Sequence, residues 1–422
     1  MAGGDRLASG GAPGALAGIR VVELAGEASA YAGLLLAGMG AEVIVVEPPE
    51  GHHCRGFEPF LDDEPGPERS LWWWHYNASK LGVTLDLADP ADQGRFRALV
   101  ATADVVLESE RPGRLADLGI DHDALRAEDP ALIWVSLTPF GRSGPRAHNE
   151  SVDLTVLAAG GPVWSCGYDD HAIPPQRGGG NQGYQTGAIF AVLSAQTALL
   201  VRDQTGAGQF VDVSLHAAAN VTTEFATLQW LVAGDEVQRQ TGRHAAVETT
   251  TFTRALSRDG IDVNTGFPPR SARDFRVVLE WMDELGIRDR FDEAFFLEMG
   301  TRLTEDLHLS LIGQDAEVTA MFGAGREAVR FIAENTTAHE FFIGAQERGL
   351  AVGIIYSPEE VLADPHFRAR GLPVEVEHED LGRSFTYVGA PYLAPKSPYR
   401  VRRRAPQVGE HNALLEELVT GG

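Results

Sequence analysis

Cysteine and lysine are almost missing from this chain, and positive charge of any kind is scarce. The only cysteines in 422 residues are Cys54 and Cys166, so no disulfide framework is implied and a reducing cytoplasm is the expected setting. Among the 35 Lys and Arg residues only Lys80 and Lys396 are lysines, and 60 Asp and Glu residues bring the formal charge to −25. Nucleic acid and anionic membrane surfaces both need a basic face, so neither is expected as a partner. A polyanionic ligand would need a local basic pocket. The sequence shows no apolar run long enough to span a bilayer, and its start, MAGGDRLASGG, lacks a charged segment followed by an apolar core, so an unexported chain is expected.

What is present is ordinary folded-protein material. Hydrophobic residues make up 44% and charged residues 23%, well outside the disordered range. A chain this long exceeds one ordinary core, so two domains are expected. Only the Gly- and Ala-rich start before Leu16 is expected to stay outside them.

Apolar runs at residues 19–24, 42–47, 83–87, 104–107 and 132–137 read as buried strands, separated by helical patterns at 31–39, 91–101 and 122–128. That alternation is the signature of an open parallel sheet with helices on both faces. Ligands of such sheets lie beyond the strand C-termini, which puts Glu47-Pro48-Pro49 and the loops at 108–112 and 138–145 on a functional rim. Beyond residue 216 the pattern changes. A helical stretch at 217–231 leads to a hairpin at 254–267 around Arg258-Asp259-Gly260. Helical segments follow at 272–285, 291–303, 316–322 and 326–334, and a capped helix at 357–369 precedes the final strands. The reading is a large domain from 1–220, a linker at 221–250, a smaller and mostly helical domain at 251–345, and a return at 346–422 that completes the large domain.

The most informative stretch is residues 174–215. A glycine-rich loop with Gly178, Gly179, Gly180 and Gly183 is followed by an apolar helix, the turn TGAG at 205–208 and a strand in which Val211 and Val213 alternate with Asp212 and Ser214. Glycine carries no Cβ, so such a loop can bring backbone N–H groups close to a ligand. The loop satisfies GxGxxG, yet no strand precedes it and no Lys-Ser or Lys-Thr follows, which excludes both a dinucleotide fingerprint and a Walker A loop.

TGAGQFVDVSLHAA at 205–218 behind that loop and helix resembles the class III CoA-transferase family, which includes the 2-methylacyl-CoA racemases. The resemblance extends to LAGIRVVELAG (16–26), GAEVIVVEPPEG (40–51), NASKLGVTLDL (77–87), RPGRLADLGI (111–120), FGRSGP (140–145), SPEEVLADPHFRARGL (357–372) and APQVGEH (405–411). It implies an α/β fold with a large, doubly wound, Rossmann-like domain built from both chain ends, a smaller helical α/β domain, and an intertwined dimer. It also implies coenzyme A or an acyl-CoA as substrate, a carboxylic acid as acceptor, and a CoA site near Asn77, Lys80, Ser109 and Arg111. Transferases of the family carry an aspartate four residues before the glycine that opens the helix. Counting back from Gly187, that position is Gly183.

A glycine cannot form the acyl anhydride that a carboxylate forms, so the usual nucleophile is unassigned here. If another carboxylate takes over, Asp153, Asp169 and Asp170 are the first candidates, although capping of the helix that follows it is the expected duty of Asp153. The racemase pair implied by the resemblance falls on Val152 and Gly183, which lack a base. The expectation is therefore a CoA-transferase working with a homologous subunit, as a homo- or heterodimer. The alternatives are a racemase-like enzyme using other residues and a non-catalytic CoA-binding scaffold. Two clusters read as structural: Trp72-Trp73-Trp74 as subunit interface, and His52-His53-Cys54 as a surface loop, with no metal expected.

Overall fold

A computed structural model of the chain describes residues 12–420. Most of the Gly- and Ala-rich start lies outside the described residues. Two compact units result: the described residues up to Gly167 with His171–Val237 and those from Asp364 on, and Tyr168–Asp170 with Gln238–Ala363.

The first unit is organised on a six-stranded sheet in the order β3-β2-β1-β4-β5-β6. Its strands are β1 (Arg20–Leu24), β2 (Glu42–Glu47), β3 (Leu81–Thr84), β4 (Val105–Glu108), β5 (Ile133–Thr138) and β6 (Phe210–Ser214). All pairings are parallel. Successive residues alternate between two cores: Val21, Val43, Val105 and Ile133 pack on one face, and Val22, Ile44, Val106 and Trp134 on the other. Burial on both faces is why these strands read as continuous apolar runs rather than as polar–apolar alternation. The strand order reverses between β1 and β4, the place where such sheets open a ligand crevice.

Helices Ala30–Gly38 and Gln182–Thr205 cover the first face. Gln182–Thr205 is, among the described residues, long and apolar enough to cross a membrane, contrary to the expectation that no segment is. Its Ala188, Ala191, Val192, Ala195, Ala198 and Leu199 are buried in the core against the sheet.

The second unit has its own core of Phe275, Val278, Met282, Ala328, Ile332 and Phe341. The hairpin is present as Arg254–Leu256 and Asp262–Asn264, and Gly353–Ile354 adds a third strand to it. That pairing keeps the chain in the second unit until Ala363, past the expected boundary at 345. At the other crossing, the Trp164 indole donates to the carbonyl of Val237 at 2.8 Å, and helix Glu224–Ala233 stays with the first unit. Much of the expected linker is thus part of the sheet-bearing unit.

Candidate active site

The loops that leave β1, β4 and β5 meet at the sheet's C-terminal edge and enclose a cavity of about 280 Å³. Its wall includes Glu27, His53, Ser109, Glu110, Arg111 and Tyr184. Two of the residues expected at a CoA site, Ser109 and Arg111, therefore sit on the β4 side of the strand-order reversal. The Ser109 hydroxyl lies 3.4 Å from that of Ser29, and Arg111, largely exposed, lies 3.3 Å from Asp117.

Asn77 and Lys80 are placed elsewhere. The Lys80 side chain is fully buried, its ammonium 2.7 Å from the Glu23 carboxylate and donating to Ala30 O and Asn77 Oδ1 at 3.0 Å each. Burial raises the Glu23 pKa and lowers that of Lys80, while their mutual attraction opposes both shifts. A buried lone charge is far costlier than a buried pair, so this ammonium neutralises Glu23 and does not present itself to a phosphate. Gly33 permits the pair, since a Cβ there would fall on the Glu23 carboxylate and the Lys80 ammonium. The NASK motif braces the sheet through Glu23 of β1 and does not line the cavity.

Gly183 lies not in the loop but in the first turn of the helix, and it is buried. A Cβ at Gly183 would stand 3.1 Å from Asp153 Oδ1, 3.2 Å from Leu157 Cγ and 3.3 Å from Val156 Cγ1. The Asp153 carboxylate thus lies against the spot where a side chain at 183 would begin. Asp153 is 5% exposed. Its Oδ1 accepts the Tyr184 N–H at 2.9 Å, and its Oδ2 lies 3.4 Å from the Arg177 guanidinium. The capping role expected of Asp153 is present but on a different helix: it holds the first turn of Gln182–Thr205 rather than its own. At its own helix the Val152 N–H goes to the Thr155 hydroxyl, at 2.8 Å. Asp169, the next carboxylate considered, pairs with Arg243 within the second unit.

Gly178, Gly179 and Gly180 are exposed. The Arg177 guanidinium donates to the carbonyls of Gly178 and Gly180, so the loop is tied to the same arginine that faces Asp153.

Glu27, Glu110 and Glu150 line the cavity, and sequence reasoning singled out none of them as a site residue. Glu27 follows β1 by three residues, and its Oε1 accepts from the Asn181 amide at 3.1 Å. Burial raises the Glu27 pKa, the Asn181 hydrogen bond and the nearby His53 pull it down, and Asp153 pushes it up. Its position directly after a strand on the functional rim was the available signal.

The tryptophan cluster resolves into packing. Trp73 and Trp74 are buried within the chain, Trp73 under the Arg55 guanidinium at 4.1 Å and Trp74 against His378 and Phe385. Trp72 packs on Phe57 and Tyr76. This is core rather than the expected subunit interface. The ligating atoms of His52, His53 and Cys54 lie within 4.8 Å of one another, and Cys54 is buried rather than on a surface loop. His52 Nδ1 already accepts the Cys54 N–H at 3.4 Å. Burial keeps His52 neutral, its pKa lowered to about 4, and pushes the Cys54 thiol far up.

The family model for CoA-transferase family III matches residues 16–412, nearly the whole chain. The chain belongs to CoA-transferase family III. It is 31% identical to the succinyl-CoA:(R)-benzylsuccinate CoA-transferase subunit BbsE of Thauera aromatica, over 93% of this chain and 91% of that one. It is 30% identical to a succinate–glutarate CoA-transferase of Agrobacterium fabrum, over 96% of each. Among solved structures it is similar to a CAIB/BAIF family protein from Brucella suis, with a TM-score of 0.75 at 24% identity, covering 96% of this chain and 100% of that one. Rv3272 from Mycobacterium tuberculosis has a TM-score of 0.71 at 23% identity over 96% and 99%. These two likenesses establish the α/β fold. Membership of a family whose named relatives are CoA-transferases supports CoA-transferase activity for this chain.

Proposed function

We propose that this chain moves CoA between an acyl-CoA and a carboxylic acid, as one subunit of a dimer with a homologous chain that carries an aspartate where this one has Gly183. The observation that carries this reading is the cavity at the strand-order reversal, walled by Ser109, Arg111 and Tyr184 beside a helix turn whose buried residue has no side chain. Arg111 offers the guanidinium that a CoA phosphate needs for charge-assisted hydrogen bonds. The Ser109 hydroxyl suits a thioester oxygen as it becomes an oxyanion, a contribution of about 3 kcal/mol per well-placed donor. The carboxylate that carries the acyl group as an anhydride comes, in this reading, from the partner's site.

Two observations support the subunit arrangement. The relative from T. aromatica is named as a subunit. Exposed apolar side chains on the first unit, among them Leu193, Leu200, Trp230, Leu231 and Val232, suit burial against a second chain. A reducing cytoplasm suits the two free cysteines. The racemase reading is weaker, because Val152, where a base would be needed, is an exposed aliphatic residue.

The relatives' names share succinyl-CoA or succinate, so succinyl-CoA is the donor to test first. The chain is purified with and without a homologue bearing the aspartate, and CoA transfer to a panel of carboxylic acids is measured. Transfer by the pair well above that of the chain alone is expected. Equal transfer with and without the homologue would remove the subunit reading. Calorimetry that finds no binding of CoA or succinyl-CoA would remove the CoA reading itself.

A further inference from the structure

The cavity of this chain carries a carboxylate of its own on its wall, at the end of the cavity where the glycine-rich helix begins. We propose that Glu27 is an acyl-accepting nucleophile, so that this chain's site forms a covalent acyl intermediate without an aspartate at position 183. The proposal rests on the CoA-transfer reading above and departs from it on one point, because it places the anhydride-forming carboxylate in this chain's own site rather than in the partner's.

Three observations single out Glu27 among the nearby carboxylates. First, it lines the cavity together with Ser109, Arg111 and Tyr184. Second, its Oε1 is fixed at 3.1 Å by the amide of Asn181, two residues before Gly183, which holds the carboxylate beside the first turn of the helix. A positioned nucleophile gains far more than a mobile one, because the entropy of bringing the groups together has already been lost. Third, the carboxylate closest to position 183 is engaged. Asp153 is 5% exposed, with Oδ1 held by the Tyr184 N–H and Oδ2 facing Arg177. Glu110 and Glu150 share the wall, and Glu27 differs from both in the hydrogen bond from Asn181 that ties it to the start of the helix. Burial raises the Glu27 pKa, and the Asn181 hydrogen bond and then His53 oppose that rise.

The chemistry balances without an outside oxidant or reductant. Glu27 Oε2 attacks the thioester carbonyl carbon; the C–O bond forms, the C–S bond breaks, and CoA leaves as a thiolate with the electron pair. Glu27 then carries the acyl group as a mixed anhydride. The thiolate attacks the Glu27 carbonyl carbon, expelling the first acid as its carboxylate and leaving Glu27 as a CoA thioester. A second carboxylate attacks that thioester carbon and releases the thiolate again. The thiolate then takes the new acyl group from the anhydride and frees Glu27.

The test uses the full chain, purified without any homologue as checked by mass spectrometry. It is incubated with succinyl-CoA, and with acetyl-CoA in parallel, then quenched with hydroxylamine, which converts a glutamyl anhydride or thioester to a hydroxamate. Peptide mass spectrometry is expected to place the hydroxamate on Glu27, to lose it in Glu27→Gln, and to keep it in Glu110→Gln. If Glu27→Gln fails to fold, the position of the label in the unaltered chain decides alone. Calorimetry on the same preparation separates two failures. Binding of the acyl-CoA with no label, or with the label on another residue, overturns the role of Glu27 and leaves the CoA reading standing. An absence of both binding and label overturns the two together.

Discussion

Position 183 carries no side chain, and the space around it shows that placing an aspartate there is not a simple substitution. The new Cβ would meet Asp153 Oδ1 at 3.1 Å and two aliphatic side chains at 3.2 and 3.3 Å, tighter than ordinary contact. It would also bring a second carboxylate against one that already faces Arg177. Overpacking of this kind costs about 1–3 kcal/mol, and like charges in one site add to it. Gly183→Asp is therefore expected to lower the urea midpoint and to gain no CoA-transfer activity by itself. Pairing it with Asp153→Asn should recover part of the lost stability, because the neutral amide removes the repulsion. A Gly183→Asp chain as stable as the original would show that the helix turn shifts to make room.

At the scale of elements, the C-terminal segment closes the edge of the sheet. His411 and Gly82 exchange hydrogen bonds at 2.9 and 3.1 Å, and Asn412 Oδ1 accepts the Thr84 N–H at 2.8 Å. The β3 edge is thus covered rather than left open to pair with another chain. Arg55 ties this segment to the N-terminal half: it is ion-paired with Glu47 at 2.7 Å, donates to Pro406 O at 3.0 Å and lies over Trp73. Both members of the Arg55–Glu47 pair are nearly inaccessible, at 2% and 0% side-chain exposure. Removing one partner of such a pair leaves an uncompensated buried charge, at a cost of about 3–5 kcal/mol. Arg55→Met is expected to destabilise the first unit by that amount in chemical denaturation. A loss below about 1 kcal/mol, the range of an exposed pair, would mean that Glu47 finds water or another cation. Element boundaries were legible where one residue type dominates. β2 falls on residues 42–47 as the apolar run predicts. The helix expected at 357–369 is broken in two, because Pro365 has no N–H to continue it and Asp364 caps the second piece through His366 N and Phe367 N. The segments expected at 316–322 and 326–334 fuse into one helix, Ala316–Asn335. Gly325 there packs against Pro269 and Phe275, a tertiary contact that outweighs its low helix propensity.

For the whole molecule, the exposed apolar side chains lead to an assembly prediction. Trp230, Leu231 and Val232 are consecutive and each more than half exposed, an apolar surface that suits burial against a second chain. Light scattering at micromolar concentration is expected to return a dimer. Leu231→Asp combined with Val232→Asp should weaken it, because each substitution would bury an unpaired charge. A compact monomer for the unaltered chain would remove the dimer from the proposal.

The sequence by itself determined the sheet, its parallel character and the family, because those rest on periodicity and on motifs spread over both chain ends. It also pointed to Ser109 and Arg111, since a loop that follows a strand of such a sheet must lie on the ligand rim. Only the tertiary structure decided what Lys80 and Asn77 do, because a cation in a motif looks the same whether it meets a phosphate or a buried Glu23. The same holds for Asp153, whose capping partner lies 31 residues away in the chain. Glu27 is the sharpest case. Its place beside Asn181, 154 residues further on, is a product of packing between helix Ala30–Gly38 and helix Gln182–Thr205. No local pattern encodes that proximity, and the chemistry proposed for the site depends on it.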